Sequence, residues 1–233
     1  MSEGTKVGFF DSGVGGRSIL DAFQRVCPEA RTLYIADTEH CPYGNRPAAE
    51  VRKFAEDCTR RLVEAGCGIV VLACNTATAA AIEHLRAEYP DIKFVGLEPA
   101  VKTAALATKT GVVAVLATAG TFTGSLYTGT KRRFAGDVRV IEEMADEFVA
   151  EVERLGVERL HDLSSEEEER LEGIVMRRVE PLLQKGADMI VLGCTHFIHL
   201  KGIIEKVCAG RAVVVDPSDA VAARVKSLYE GLA

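Results

Sequence analysis

Ile69-Val-Val-Leu-Ala-Cys74-Asn-Thr76 and Met189-Ile-Val-Leu-Gly-Cys194-Thr-His196 are near copies of one another, set 120 residues apart. Each reads as a short apolar strand buried on both faces, then a small residue, a cysteine, and amide or hydroxyl groups opening the next segment. The repeat points to two α/β halves related by a pseudo-twofold axis, each presenting one strand-end cysteine to a shared cleft.

Further short apolar runs lie on both sides of these copies, at Lys6–Phe10, Thr32–Ala36, Phe94–Leu97, Gly111–Ala117, Val138–Ile141 and Ala212–Val215. Stretches with helical periodicity, such as Ala48–Ala65 and Ala77–Glu88, separate most of them. This alternation predicts an α/β fold of two pseudosymmetric domains with mainly parallel sheets. Sites in such sheets form at the carboxyl ends of strands, here in the cleft between the halves. The first domain is expected to span residues 1–97 plus 208–233, closed by the strand Ala212–Val215 and the helix after Asp216; the second is expected to span 98–207. Ser165 and Glu168 have the spacing of a capping box at a helix start.

With 233 residues, 48% of them hydrophobic and 27% charged, the chain has enough apolar content for a sizeable core. A net charge of −6 gives no general basic field for nucleic acid, and Lys131-Arg132-Arg133 reads as a solvated helix face. No apolar run approaches the roughly 20 residues of a membrane span, and Met1–Val7 does not read as a secretory leader. Seven cysteines in no dense pattern fit free thiols in a reducing cytoplasm. Cys27, Cys58, Cys67 and Cys208 read as small buried hydrophobes.

Asp11-Ser12-Gly13-Val14-Gly15-Gly16 follows the first strand and leads into a helix, so its backbone N–H groups can face an anion. It is neither a dinucleotide fingerprint nor a phosphate loop, because Ser18 takes the third glycine's place and no Gly-Lys-Ser/Thr string occurs. Taken alone, Asp11 reads as a helix N-cap; beside a cysteine, a carboxylate can also hold or accept a proton. Cys74 precedes a helix start whose dipole favours a thiolate, and His196 stands to Cys194 as Asp11 stands to Cys74.

The motifs DSGVGG from Asp11, PYGN from Pro42, ACNTATAA from Ala73, GLEPAVK from Gly96 and LGCTHF from Leu192 run in order over nearly the whole chain. In this the sequence resembles the glutamate racemase family. The resemblance implies interconversion of L- and D-glutamate for peptidoglycan synthesis, with no cofactor and no metal. It implies catalytic roles for Cys74, Cys194, Asp11 and His196. By the same resemblance, Ser12, Tyr43, Gly44, Asn75, Thr76, Thr195 and His196 hold substrate with Asp11, while Thr118 and Thr121 form a further hydroxyl loop. Asp37 matches an acidic position near the site, and Glu153 an auxiliary glutamate. A homodimer is implied too, in keeping with the frequency of twofold assemblies. Phe197 and Ile198 stand where the family often has Tyr-Pro, and His40 and Cys41 before Pro42 read as structural.

Three rival readings remain. Cys194, His196 and His199 with Cys74 would make a metal module, but their spacing lacks the paired ligands of a structural zinc site. Racemisation of aspartate or another amino acid fits the cysteine pair as well as glutamate does. An amino-acid-binding protein without turnover would keep the cleft and leave the cysteines incidental.

Overall fold

The computed structural model describes residues 5–232. The leader reading on Met1–Val7 therefore lies partly outside the described residues. The first part of the chain runs β1 (Lys6–Asp11), α1 (Arg17–Val26), β2 (Thr32–Ala36), α2 (Ala48–Glu64), β3 (Cys67–Leu72), α3 (Asn75–Glu88) and β4 (Lys93–Gly96). The second runs α4 (Val101–Ala107), β5 (Val112–Ala117), α5 (Ala119–Phe122), α6 (Ser125–Phe134), β6 (Arg139–Met144), α7 (Asp146–Leu155), α8 (Ser165–Gln184) and β7 (Met189–Leu192). It closes with α9 (Thr195–Ile198), α10 (Lys201–Cys208), β8 (Val213–Val215) and α11 (Ser218–Glu230). No helix among the described residues is long and apolar enough to cross a membrane.

The strands form two four-stranded sheets of order β2-β1-β3-β4 and β6-β5-β7-β8, and every pairing is parallel. The orders match term by term, so β3 and β7 hold the same place in their sheets. Period-2 alternation explains the continuous apolar runs. Along β3, Ile69 and Val71 enter one core and Val70 and Leu72 the other, with Ala73 and Cys74 extending the two rows. Ile190, Leu192 and Cys194 repeat the pattern on the second sheet, with Met189 and Val191 opposite. Each fully buried aliphatic side chain contributes about 1.5–3 kcal/mol, so the strand register that aims the two cysteines is strongly fixed.

One strand departs from the sequence expectation. The run around Val213–Val215, expected to close the first half, pairs with β7 in the second sheet. The reason is the short connection. α10 packs on the second sheet through Ile204, Val207 and Cys208, and a tight turn at Ala209 (φ 48°) and Gly210 (φ 76°) returns the chain beside β7. The crossing back to the first half comes later, near Asp216 and Pro217. There α11 docks on α1 and adds Ala222 and Val225 to the core under the first sheet.

The α8 capping box is shifted by one residue. Ser164 is the N-cap and Glu167 its partner, rather than Ser165 and Glu168. Lys131, Arg132 and Arg133 fall in the last turn of α6, where Lys131 pairs with Glu142.

Phe23 anchors α11 to the first half. Its fully buried ring meets Phe9 at 5.6 Å and Tyr229 of α11 at 6.3 Å between centroids. Phe23→Ala is expected to cost about 3–5 kcal/mol, read as a lowered urea midpoint; a loss below about 1 kcal/mol would show a loosely seated helix.

Candidate active site

The carboxyl ends of β1, β3, β5 and β7 meet at one cleft. It is lined by Ser12 after β1, Pro42, Tyr43 and Gly44, and by Cys74, Asn75 and Thr76 after β3. The other half supplies Thr118 after β5, Val149 of α7, and Cys194, Thr195 and His196 after β7. Both cysteines are almost wholly buried, at 5% and 9% exposure, yet open on this one space. Its free volume, about 10 Å³, is room for about one water molecule.

Cys74 is the N-cap of α3, and its Sγ accepts the Ala77 N–H at 3.4 Å. Ser12 Oγ lies 3.8 Å from the same sulfur. The expected helix start is present, but it does not prevail. Burial, and then the neighbouring Asp11 charge, push the Cys74 thiol up, outweighing the Ala77 hydrogen bond. The protonated thiol is its resting form. Asp11 is not the N-cap of α1, a place taken by Gly16. Its Oδ2 accepts the Gly16 N–H at 2.9 Å, while Oδ1 is buried with no partner among the described residues. Burial pushes the Asp11 carboxyl above the usual carboxylate range, against the opposing pull of His196.

Around Cys194 the charges differ. His196 Nδ1 lies 3.8 Å from Cys194 Sγ, and Nε2 lies 2.6 Å from Glu153 Oε1. Burial works against a charged imidazole, but hydrogen bonds to Cys194, Cys41 and Glu153 outweigh it and hold His196 well above its ordinary value. Burial alone would raise Glu153 too; hydrogen bonds from His196 and the Val14 N–H bring it below the ordinary glutamate value. Glu153 Oε1 thus accepts from both halves, Val14 N–H at 2.9 Å and His196 Nε2 at 2.6 Å.

Substrate-grade polar groups crowd the rest of the wall. Asn75 is 4% exposed, and neither end of its side-chain amide has a partner among the described residues. A buried amide left so costs roughly 1–3 kcal/mol unless a ligand satisfies it. Thr76, Thr118 and Thr121 form a hydroxyl chain with steps of 2.9 and 3.2 Å.

Ten of the residues read from sequence line the cleft, and four stand behind it. Asp11 backs Cys74 and Glu153 backs His196, while Thr121 holds Thr118. Asp37 accepts the Tyr43 hydroxyl at 2.5 Å and also meets His40. His40 stacks on Phe54 at 4.0 Å between ring centroids. Phe197, in place of the family's tyrosine, is fully buried edge-on to Phe148 at 5.1 Å.

The sequence reading missed Pro42 and Val149 in the wall, and Tyr34, whose hydroxyl donates to Gly13 O at 3.0 Å. His199, named from sequence only as a ligand in the metal-module reading, has its Nε2 2.9 Å from Gly15 O. Pro42 sits inside the PYGN motif and was within reach; the others carry no local signal.

Two matched parallel sheets, each giving a thiol to one polar, nearly closed cleft, are the makings of an amino-acid racemase. The chain belongs to the Asp/Glu/Hydantoin racemase family, whose model matches residues 17–225. It is 41% identical to the glutamate racemase of Ectopseudomonas mendocina (strain ymp), over 95% of this chain and 81% of that one. The structure of Escherichia coli glutamate racemase in complex with L-glutamate and the activator UDP-MurNAc-ala aligns with a TM-score of 0.82 at 32% identity, covering 98% of this chain and 84% of that one. A glutamate racemase isoform from Bacillus anthracis aligns with a TM-score of 0.81 at 26% identity, covering 97% and 82%.

Proposed function

We propose that the protein interconverts L- and D-glutamate by passing the α-proton between Cys74 and Cys194 without a cofactor, and so supplies D-glutamate for peptidoglycan synthesis in the cytoplasm. The observation that carries this reading is the convergence of two thiols, from matching strand ends, on one closed polar cleft. An α-proton is very weakly acidic, so racemisation needs a base on one face of the carbon and an acid on the other.

In the L-to-D direction Cys194, beside the charged His196, takes the proton from one face. Cys74, held as a thiol by burial, gives its proton to the opposite face. The cycle leaves a thiol at Cys194 and a thiolate at Cys74, the state from which D-glutamate reacts in reverse. Asp11 serves Cys74 as His196 serves Cys194. Ser12, Thr76, Thr118 and Thr195 donate to the substrate carboxylates, and the unpartnered Asn75 amide offers both a donor and an acceptor. Tyr43 and Gly44 complete the wall. Closing the halves excludes water, which strengthens each of these contacts.

Circular dichroism of L- and D-glutamate incubated with the protein tests the reading. Either enantiomer is expected to decay to zero optical activity. Aspartate, shorter by one methylene, is expected to react about 10–200-fold more slowly. No decay with any amino acid rejects turnover, and faster decay of aspartate reassigns the substrate.

A further inference from the structure

Cys41 hydrogen-bonds His196 but takes no part in the proposed proton transfer itself. We propose that Cys41, Glu153 and His196 form an inhibitory site for a thiophilic divalent cation, with Zn²⁺ the best match. One ligand atom from each residue lies within 4.8 Å of the other two. A thiolate, an imidazole and a carboxylate are a donor set that zinc favours, with water taking the fourth tetrahedral position. His196 Nε2 and Glu153 Oε1 now sit 2.6 Å apart. Bond lengths of about 2.0 Å to a tetrahedral ion would spread such a pair to roughly 3.3 Å. Glu153 has the freedom for this movement, since its side chain is 24% exposed.

Geometry also gives the ion a way in. Cys41 and Glu153 are both partly exposed, and neither lines the substrate cleft itself. Gly13 lets Glu153 and Cys41 pack close to the backbone, because a Cβ there would meet Glu153 Oε1 at 2.0 Å and Cys41 Sγ at 3.2 Å. On binding, the Cys41 thiol and the His196 Nε2–H lose their protons to water, and sulfur and nitrogen each give an electron pair to the metal. His196 is then a neutral, metal-fixed imidazole. The positive charge beside Cys194 moves to the metal on the far side of the ring, and racemisation stops. The inhibitory consequence rests on the racemase reading; the binding does not.

Among the described residues one other three-donor group occurs, Glu56, His84 and Glu88, and it is more exposed and contains no sulfur. Cobalt therefore separates the two. Co²⁺ added to metal-free protein is expected to give a near-ultraviolet thiolate-to-metal charge-transfer band that Cys41→Ser abolishes and Glu56→Gln leaves intact. In parallel, the Zn²⁺ concentration that halves racemisation, measured against each variant's own metal-free rate, should rise at least about tenfold in Cys41→Ser. Absence of the band in the unmodified protein overturns the site. So does a band that survives Cys41→Ser, or unchanged zinc sensitivity in that variant. If the protein fails to racemise glutamate but the band depends on Cys41, the metal site stands and the racemase reading falls.

Discussion

Replacing Cys74 with alanine is expected to lower kcat/KM for racemisation at least about 10³-fold in both directions, the scale on which a positioned acid or base acts. The change removes only a sulfur atom at a strand end, and the Val70, Leu72 and Ala77 packing around it stays in place. Loss of activity would therefore come from chemistry and not from unfolding, and an unchanged thermal midpoint would confirm it. With Cys194 still present, L-glutamate should continue to exchange its α-proton with deuterated water although it no longer inverts. Cys194→Ala should show the mirror behaviour with D-glutamate. Cys208→Ala, at a buried thiol that does not line the cleft, is the control and should leave turnover intact. A Cys74→Ala variant with a tenth or more of full activity would reject the two-thiol mechanism.

Gly15→Ala is expected to cost about 10²-fold or more in kcat/KM, the scale of a misplacement of about 1 Å in a catalytic group. A Cβ on Gly15 would lie 2.6 Å from His196 Nδ1 and 2.8 Å from the His196 backbone nitrogen. The backbone atom makes the clash expensive, because His196 shares its turn with Cys194 and Thr195. At Gly13 the nearest atom is the far end of the Glu153 side chain, which can swing away at the cost of its hydrogen bonds to Val14 and His196. Gly13→Ala should therefore harm turnover less than Gly15→Ala. Since these contacts lie across the two halves, each half should still fold, and far-ultraviolet circular dichroism should be unchanged. Full activity in Gly15→Ala would mean that chemistry does not need the closed cleft.

Much of this architecture was legible because it follows from alternation. Each run that buries both faces, from Val7 to Phe10 through Val113 to Ala117, became a central strand, and the repeated Val-Leu-small-Cys string placed both thiols at matching strand ends. What escaped was what tertiary packing decides. The pairing of Val213–Val215 depends on a short turn after α10, and neighbouring serines at 164 and 165 offer two equally good caps. Residue type drew attention to Asp11, and the family resemblance to Asp37, Thr121 and Glu153, but neither showed that they stand one step behind the wall of the cleft. The helix dipole at Cys74 was readable, whereas the burial that overrides it was not. Cys41 and Tyr34 reach the site only through contacts between distant segments.

The docking of α11 has a consequence for biosynthesis. Every strand of the first sheet has been made by Gly96, yet Ala222 and Val225, both essentially inaccessible to solvent, complete the layer beneath it. On the ribosome the earlier half is left with an open seam until almost the whole polypeptide has emerged, while the later half is complete in sequence at Val215. The usual vectorial order, amino-terminal unit first, is thereby reversed for the final step, and a nascent chain stalled before α11 would expose apolar surface that chaperones recognise.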